Sequence, residues 1–272
     1  MKITFLGTAA AEAMPATFCN CKYCIEARRL GGKNIRTRSQ SIIDGKLLID
    51  LPADTYYHFL LNGIEADKIS DLLITHSHGD HCYPTELFLR TPPFAHGMRA
   101  KTLNVYCGKG AFDKISKEGD PKNVALRRVS AFESFETENG YKVTALPARH
   151  AQGDDALFYI IEGEKTLLYA HDTGYFYDEV FDFIAQKGFK FDLASFDCTN
   201  VDITISDDGS HMGIENIERV IARLEAIGAI DGGTVKVINH FSHNANPLYH
   251  VLEERVADKG WLVSYDGMSV EF

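Results

Sequence analysis

The sequence is short of several things, and each shortage removes a class of function. No run of about 18 apolar residues is present, so no membrane-spanning helix is expected. The opening "MKITFLGTAA" turns polar too soon for a signal peptide and reads as a first strand. Positive charge is in deficit: 28 Lys and Arg against 38 Asp and Glu give a formal net charge of −10. With no Lys/Arg-rich arm, that balance argues against nucleic acid and anionic membrane as partners. Low-complexity segments, linkers and internal repeats are also missing, so one domain over residues 1–272 is expected. A cytoplasmic location is expected on the same grounds. What is there is ordinary globular material, 45% hydrophobic and 24% charged, able to bury a sizeable core.

Apolar patterning predicts strands at residues 2–7, 41–44, 46–50, 71–75, 102–106, 141–147, 156–162, 166–170, 192–196 and 234–238. Helices are predicted at 22–30, 53–62, 84–89, 175–187, 213–227 and 247–259. The clearest is "GIENIERVIARLEAIG", where Ile214, Ile217, Ile221, Leu224 and Ile227 form one stripe. "IIDGKLLID" is a hairpin signal at Asp44-Gly45. Early paired strands followed by strands with intervening helices predict an α/β fold of two mixed sheets with helices outside.

The chemistry begins at "LLITHSHGDHCYP". An apolar strand ends in a turn holding His76, His78, Asp80 and His81. Alternate residues on an extended chain share a side, so His76 and His78 can chelate one metal. Gly79 lets the chain turn, and Asp80 and His81 then face a second position. Imidazole with carboxylate suits Zn, Mn or Fe. Other strand-end candidates recur: His150 after "KVTALPAR", His171 and Asp172 after "TLLYA", and His240 after "VKVIN".

These residues, in this order, resemble the metallo-β-lactamase-fold hydrolases. The match rests on "HSHGDH", His150, "DTG" with Asp172, His240 and the earlier Asp50. The resemblance implies a four-layer αββα sandwich with a dinuclear metal site at one edge. It assigns His76, His78 and His150 to one metal, Asp80, His81 and His240 to the other, and Asp172 to both. Two such ions roughly 3.5–4 Å apart can hold a bridging hydroxide and clamp an in-line displacement. An aspartate at 172 makes the pair oxygen-loving and favours phosphate and carboxyl esters.

Three of the 6 cysteines crowd into "FCNCKYC". Cys19, Cys21 and Cys24 can hold a tetrahedral zinc that still needs a fourth ligand. The most similar group, the phosphodiesterase of the carbon–phosphorus lyase pathway, closes such a cluster with a histidine three residues after the last catalytic ligand. "HFSH" fits, with His240 in the catalytic pair and His243 on the structural zinc. The likeness extends to "FLGT", "IRTRSQS" and "YDGMSVEF".

In similar phosphodiesterases a histidine between the bridging aspartate and the last ligand protonates the leaving group or contacts phosphate. His211, with Ser210 as a helix N-cap, is the candidate here, and Asp80 is the other residue counted as catalytic. Asp197 in "DCT" reads as a support. His58, His96 and His250 read as surface or helix-face residues, and Cys82, Cys107 and Cys198 as small buried ones. The stretch Tyr83–Gly97 reads as a pocket wall or a homodimer contact. The expected function is a dinuclear metal-dependent hydrolase, in first place a phosphodiesterase acting on a small phosphodiester. Alternatives are hydrolysis of a carboxyl ester, lactone or amide, RNA 3′-end processing, and a non-catalytic cofactor carrier of the same fold.

Overall fold

The computed structural model describes residues 1–119 and 121–272. The chain opens with β1 (Lys2–Gly7), which pairs antiparallel with β2 (Gln40–Ile43), and β2 pairs with β3 (Leu47–Ile49). The connecting turn has both Asp44 and Gly45 at positive φ, the conformation a tight right-twisted hairpin demands. From β3 the pairing becomes parallel through β4 (Asp71–Ile74), β5 (Leu103–Cys107) and β6 (Val124–Arg128). Helices α1 (Lys22–Leu30), α2 (Thr55–Asn62), α3 (Thr85–Phe88) and α4 (Lys109–Glu118) fall in the connections.

The second sheet begins as an antiparallel meander, β7 (Ser134–Glu136), β8 (Lys142–Pro147), β9 (Leu157–Glu162) and β10 (Thr166–Ala170). It continues in parallel through β11 (Leu193–Asp197), β12 (Val235–Asn239) and β13 (Leu262–Val263). The crossovers carry α5 (Asp178–Lys187), α6 (Ile214–Ala226) and α7 (Tyr249–Val256). Strand β14 (Met268–Glu271) then returns to the first sheet beside β1. Among the described residues each sheet has seven strands.

Packing makes this a four-layer sandwich. Ile3, Phe5, Ile49 and Leu73 of the first sheet face Val143, Tyr159, Ile161, Tyr169 and Val237 of the second. The outer face of the second sheet, with Phe158, Leu168 and Phe196, is covered by Phe181, Ile217, Leu224 and Leu252 of its helices. The outer face of the first, with Leu48, Leu72 and Ile74, meets Ala111 and Ile115 of α4. Strand β4 is buried on both faces, which is why Leu72–Ile74 is an apolar run rather than an alternation; β11 is also buried throughout, its polar Ser195 and Asp197 bonding to His171 and His211.

The expected αββα arrangement of two mixed sheets is therefore observed. Some local expectations are corrected. Helix α6 stops at Ala226, so Ile227 lies past the buried stripe and is 36% exposed. Its N-cap is Gly213, whose N–H donates to Asn216 Oδ1 at 3.1 Å, not Ser210. His58 is not a surface residue: it is 1% exposed, with Nδ1 2.7 Å from Gln40 Oε1 and Nε2 2.6 Å from Thr37 Oγ1. Gly7 explains how the ring fits, because a Cβ there would meet His58 Cε1 at 2.8 Å. Cys82, Cys107 and Cys198 are fully buried, as their apolar surroundings suggested.

A candidate metal centre at the sandwich edge

Strand β4 ends at Ile74, and the following loop carries His76, His78, Asp80 and His81 along the rim. The loop after β8 brings His150, the end of β10 brings Asp172, and the end of β12 brings His240. Two groups of donors form. His76, His78 and His150 converge in one; Asp80, His81, Asp172 and His240 converge in the other, with donor atoms within 4.8 Å inside each. Asp172 lies between the groups. Its Oδ2 is 3.1 Å from His81 Nε2 and 3.8 Å from His76 Nε2, while Oδ1 is 3.1 Å from His240 Nε2.

His76, His81, His150 and His240 are each oriented by the nitrogen that points away from the centre, whereas His78 Nδ1 faces His150 Nε2 at 3.1 Å. Asp50 Oδ2 accepts from His81 Nδ1 at 2.7 Å. Thr75 Oγ1 donates to Asp50 at 2.9 Å and so accepts from His76 Nδ1 at 3.0 Å. Thr199 Oγ1 donates to Asp197 Oδ1 at 2.8 Å and accepts from His240 Nδ1 at 2.8 Å. The Ser210 carbonyl accepts from His150 Nδ1 at 3.1 Å. These bonds place the proton on Nδ1 and turn the Nε2 lone pair inward.

The inward atoms are what test a metal. His76 Nε2, His81 Nε2, His240 Nε2 and Asp172 Oδ1 are all buried and make no hydrogen bond. Buried polar atoms are normally satisfied, and four unsatisfied ones on a single centre need an explanation. Divalent cations fit them: the donors are imidazoles and carboxylates, they converge, and their outer nitrogens are already committed. The charges agree. Burial alone would raise the Asp172 carboxyl, but the surrounding His240, His81 and His76 outweigh it and hold it well below its ordinary value. Burial, then the neighbouring His81, keeps His76 neutral by holding its pKa well below the ordinary one.

Backbone strain accompanies this geometry. Asp50 (φ +65°) and His240 (φ +63°) are non-glycine residues in the left-handed region. Such conformations cost of order 1–3 kcal/mol and persist where the surroundings over-determine them. At His240 the turn ends β12 and sends the two neighbouring histidines apart. His240 joins the Asp172 group, whereas His243 joins Cys19, Cys21 and Cys24.

In the thiol group, His243 Nδ1 lies 3.7 Å from Cys19 Sγ and 3.6 Å from Cys21 Sγ. Backbone amides donate to the sulfurs: Ala16 to Cys24 at 3.4 Å, Cys21 to Cys19 at 3.4 Å and Cys24 to Cys21 at 3.5 Å. Burial opposes ionisation of Cys21, but the Cys24 amide and His243 bring its pKa down to about 6, whereas burial pushes Cys24 up to about 11. Three sulfurs and one nitrogen at these separations suit a tetrahedral zinc.

His211 lies beside the centre, its donor atom converging with those of His150 and Asp172 and with those of Asp197 and His240. Its Nδ1 is 2.7 Å from Asp197 Oδ2, and its ring lies 4.7 Å from that of His150 and 5.4 Å from that of His240. Burial would lower its pKa, but the Asp197 carboxylate raises it to about 9. Asp197 thus supports both His211 and, through Thr199, His240.

Not every candidate reaches the centre. His171 is turned into the core, with Nε2 2.7 Å from Ser195 Oγ and its ring against Tyr169. Other functional groups escaped notice in the sequence. Thr75 and Thr199 are next to the motifs they orient, so adjacency could have found them. Lys114 could not have been found that way: from α4, its Nζ donates to the carbonyls of Ser77 and Cys82, both at 2.7 Å. Asp154 Oδ2 accepts from the Ser77 N–H at 2.7 Å. Together they clasp the histidine loop from behind.

A comparison with curated protein sequences finds no match. Among solved structures, zinc-bound PqqB from Methylobacterium extorquens is similar, with 20% identity, all of both chains covered and a TM-score of 0.75. A diphosphatase of the PhnP family is similar at 21% identity, covering 100% of this chain and 97% of that one, with a TM-score of 0.73. The short form of human tRNase Z is 17% identical, covering 100% of this chain and 99% of that one, with a TM-score of 0.68. The family described as "Beta-lactamase superfamily domain" matches residues 53–241, a span holding every residue of the two histidine–aspartate groups. Since that span is more than half of the chain, the protein belongs to the beta-lactamase superfamily and is a metal-dependent hydrolase of the metallo-β-lactamase fold.

Proposed function

We propose that the protein is a phosphodiesterase that works with two divalent metals, Zn or Mn, and carries a separate structural zinc. The observation that supports it most is the set of four buried, unsatisfied donors around Asp172. His76, His78 and His150 would hold one ion, Asp80, His81 and His240 the other, and Asp172 both. Bound there, the ions supply Lewis acidity toward a phosphoryl oxygen and activate the attacking water.

The chain's own residues do the rest. Asp80 and Asp172 cancel part of the metals' charge and leave a net positive site, suited to a phosphodiester monoanion. His211 is held by Asp197 through Nδ1 and retains a proton near neutrality, which leaves Nε2–H to protonate the leaving oxygen. Asp50, Thr75 and Thr199 keep the ligand rings turned inward so that no reorganisation is needed on substrate binding. The thiol site ties the first loop to the His240–His243 segment and so steadies His240.

The test is hydrolysis of bis(p-nitrophenyl) phosphate by chelator-stripped protein reloaded with Zn²⁺ or Mn²⁺, beside Asp172→Ala and Cys21→Ala. Turnover is expected in the wild type and lost in Asp172→Ala. Cys21→Ala should lose zinc and thermal stability yet retain activity in the fraction that stays folded. No turnover by protein shown to hold two metals at the histidine centre would remove the phosphodiesterase reading.

A further inference from the structure

A second cavity lies apart from the metal centre, between α2 and the segment after the histidine loop. Its volume is about 760 Å³, inside the range of roughly 300–1,000 Å³ usual for small-molecule pockets. Leu51, Phe59, Leu87 and Met98 give it apolar walls, and Asp67, Glu86, Arg90 and His96 also line it, Asp67 being paired with Arg99. The stretch Tyr83–Gly97, singled out in the sequence as a pocket wall or dimer contact, forms one side. Its far end is pinned by Arg99, which pairs with Glu65 at 2.8 Å and with Asp67 at 2.5 Å.

The state of Arg90 points to an occupant. Its Nη2 donates to the Ala100 carbonyl at 3.2 Å, and its buried Nε has no partner. Among the described residues no carboxylate pairs with it, and Glu86, one helical turn earlier, does not. Burial lowers the Arg90 pKa and raises that of Glu86. A partly desolvated cation without a counter-charge is costly, and an anion bound beside it would offset that cost. The position is also connected: the Leu51 N–H donates to the His81 carbonyl at 2.7 Å, and the Leu51 carbonyl accepts from Tyr83 at 2.8 Å. The cavity therefore backs directly onto the histidine loop.

We propose that this cavity is a binding site for a small amphiphilic carboxylate, with its apolar body against Leu51, Phe59, Leu87 and Met98 and its carboxylate on Arg90. The apolar side chains at the rim, Leu60 (63% exposed) and Phe94 (68% exposed), would flank the chain as it leaves the cavity. The site is independent of the reaction carried out at the metals.

Calorimetric titration of the full, metal-loaded chain tests it, with decanoate, 1-decanol and decyltrimethylammonium as probes. Arg90→Gln removes the charge, and Ala95→Trp fills the cavity. Melting temperature and metal content identify any variant that fails to fold. Decanoate should bind saturably. Arg90→Gln should weaken it about tenfold, the scale of one lost charge-assisted hydrogen bond, while leaving 1-decanol nearly unchanged. Ala95→Trp should abolish both. Three results would overturn the proposal: no saturable decanoate binding to the wild type; decyltrimethylammonium binding as tightly as decanoate; or light scattering that shows a dimer which Leu60→Asp splits into monomers, assigning this face to a second copy of the chain.

Discussion

His211 is the residue whose role is most open to direct measurement. Its Nδ1 is fixed by Asp197 at 2.7 Å, and it contacts both His150 and His240 by ring packing. If it donates a proton to the leaving oxygen, its loss should matter only where that oxygen needs a proton. His211→Gln should lower kcat on an alkyl phosphodiester by about a hundredfold or more. With p-nitrophenyl esters, whose leaving group departs as the anion, the loss should stay under about tenfold. Equal losses on both substrates would instead make it a phosphate contact. The neighbouring threonines act at one remove, since Thr75 and Thr199 orient His76 and His240 without reaching the centre.

Among the elements, the loop that follows β4 depends on α4 more than on its own sequence. Lys114 donates to the carbonyls of Ser77 and Cys82, which flank His78, Asp80 and His81. Lys114→Met keeps the aliphatic stem and removes both bonds. It should cost about 1–3 kcal/mol in urea unfolding and weaken metal binding by about tenfold or more. Lys114→Arg should recover part of both. If Lys114→Met lost stability but held metal as tightly as the wild type, the clasp would be a fold feature only. The same dependence explains why α4 was not foreseen: only Ala111 and Ile115 of "KGAFDKISKE" are buried, too few for an apolar stripe. Strand β6, "VALRR", is an edge strand with no fully buried residue, so no alternation marked it either.

At the scale of the molecule, a buried polar chain ties distant segments together. Gln40, His58, Thr37, Asp266, Thr8 and Arg36 are linked in that order by hydrogen bonds of 2.5–2.8 Å. They come from β2, α2, the loop before β2, the turn before β14 and the end of β1. Burial pushes the His58 pKa down to about 4 from an ordinary 6.5. Between those values the unfolded chain takes up a proton that the folded chain refuses. Stability should therefore fall as pH drops from about 6.5 to about 4, by on the order of 3 kcal/mol from this residue, and should not depend on it above pH 6.5. His58→Gln should flatten that part of the curve relative to the wild type in urea titrations at matched metal content. Parallel curves would mean that His58 is not what makes the fold acid-sensitive.

The metal centre was legible because its donors are local in sequence: four of them occupy the six residues His76–His81, and the others sit just past apolar strands. Donor chemistry and strand periodicity are properties of short segments, so the sequence by itself pointed to two mixed sheets and to the candidate ligands, while the αββα layering and the assignment of His243 to the thiols came with the family resemblance. Tertiary structure decided what depends on where a side chain ends up. It turned His171 into the core, buried His58, and brought Lys114 behind a loop 32 residues away from it. It also set Arg90 in the wall of a cavity where, among the described residues, no carboxylate pairs with it. These outcomes follow from burial and long-range hydrogen bonding, which act between segments far apart in the chain and leave no periodic trace in any one of them.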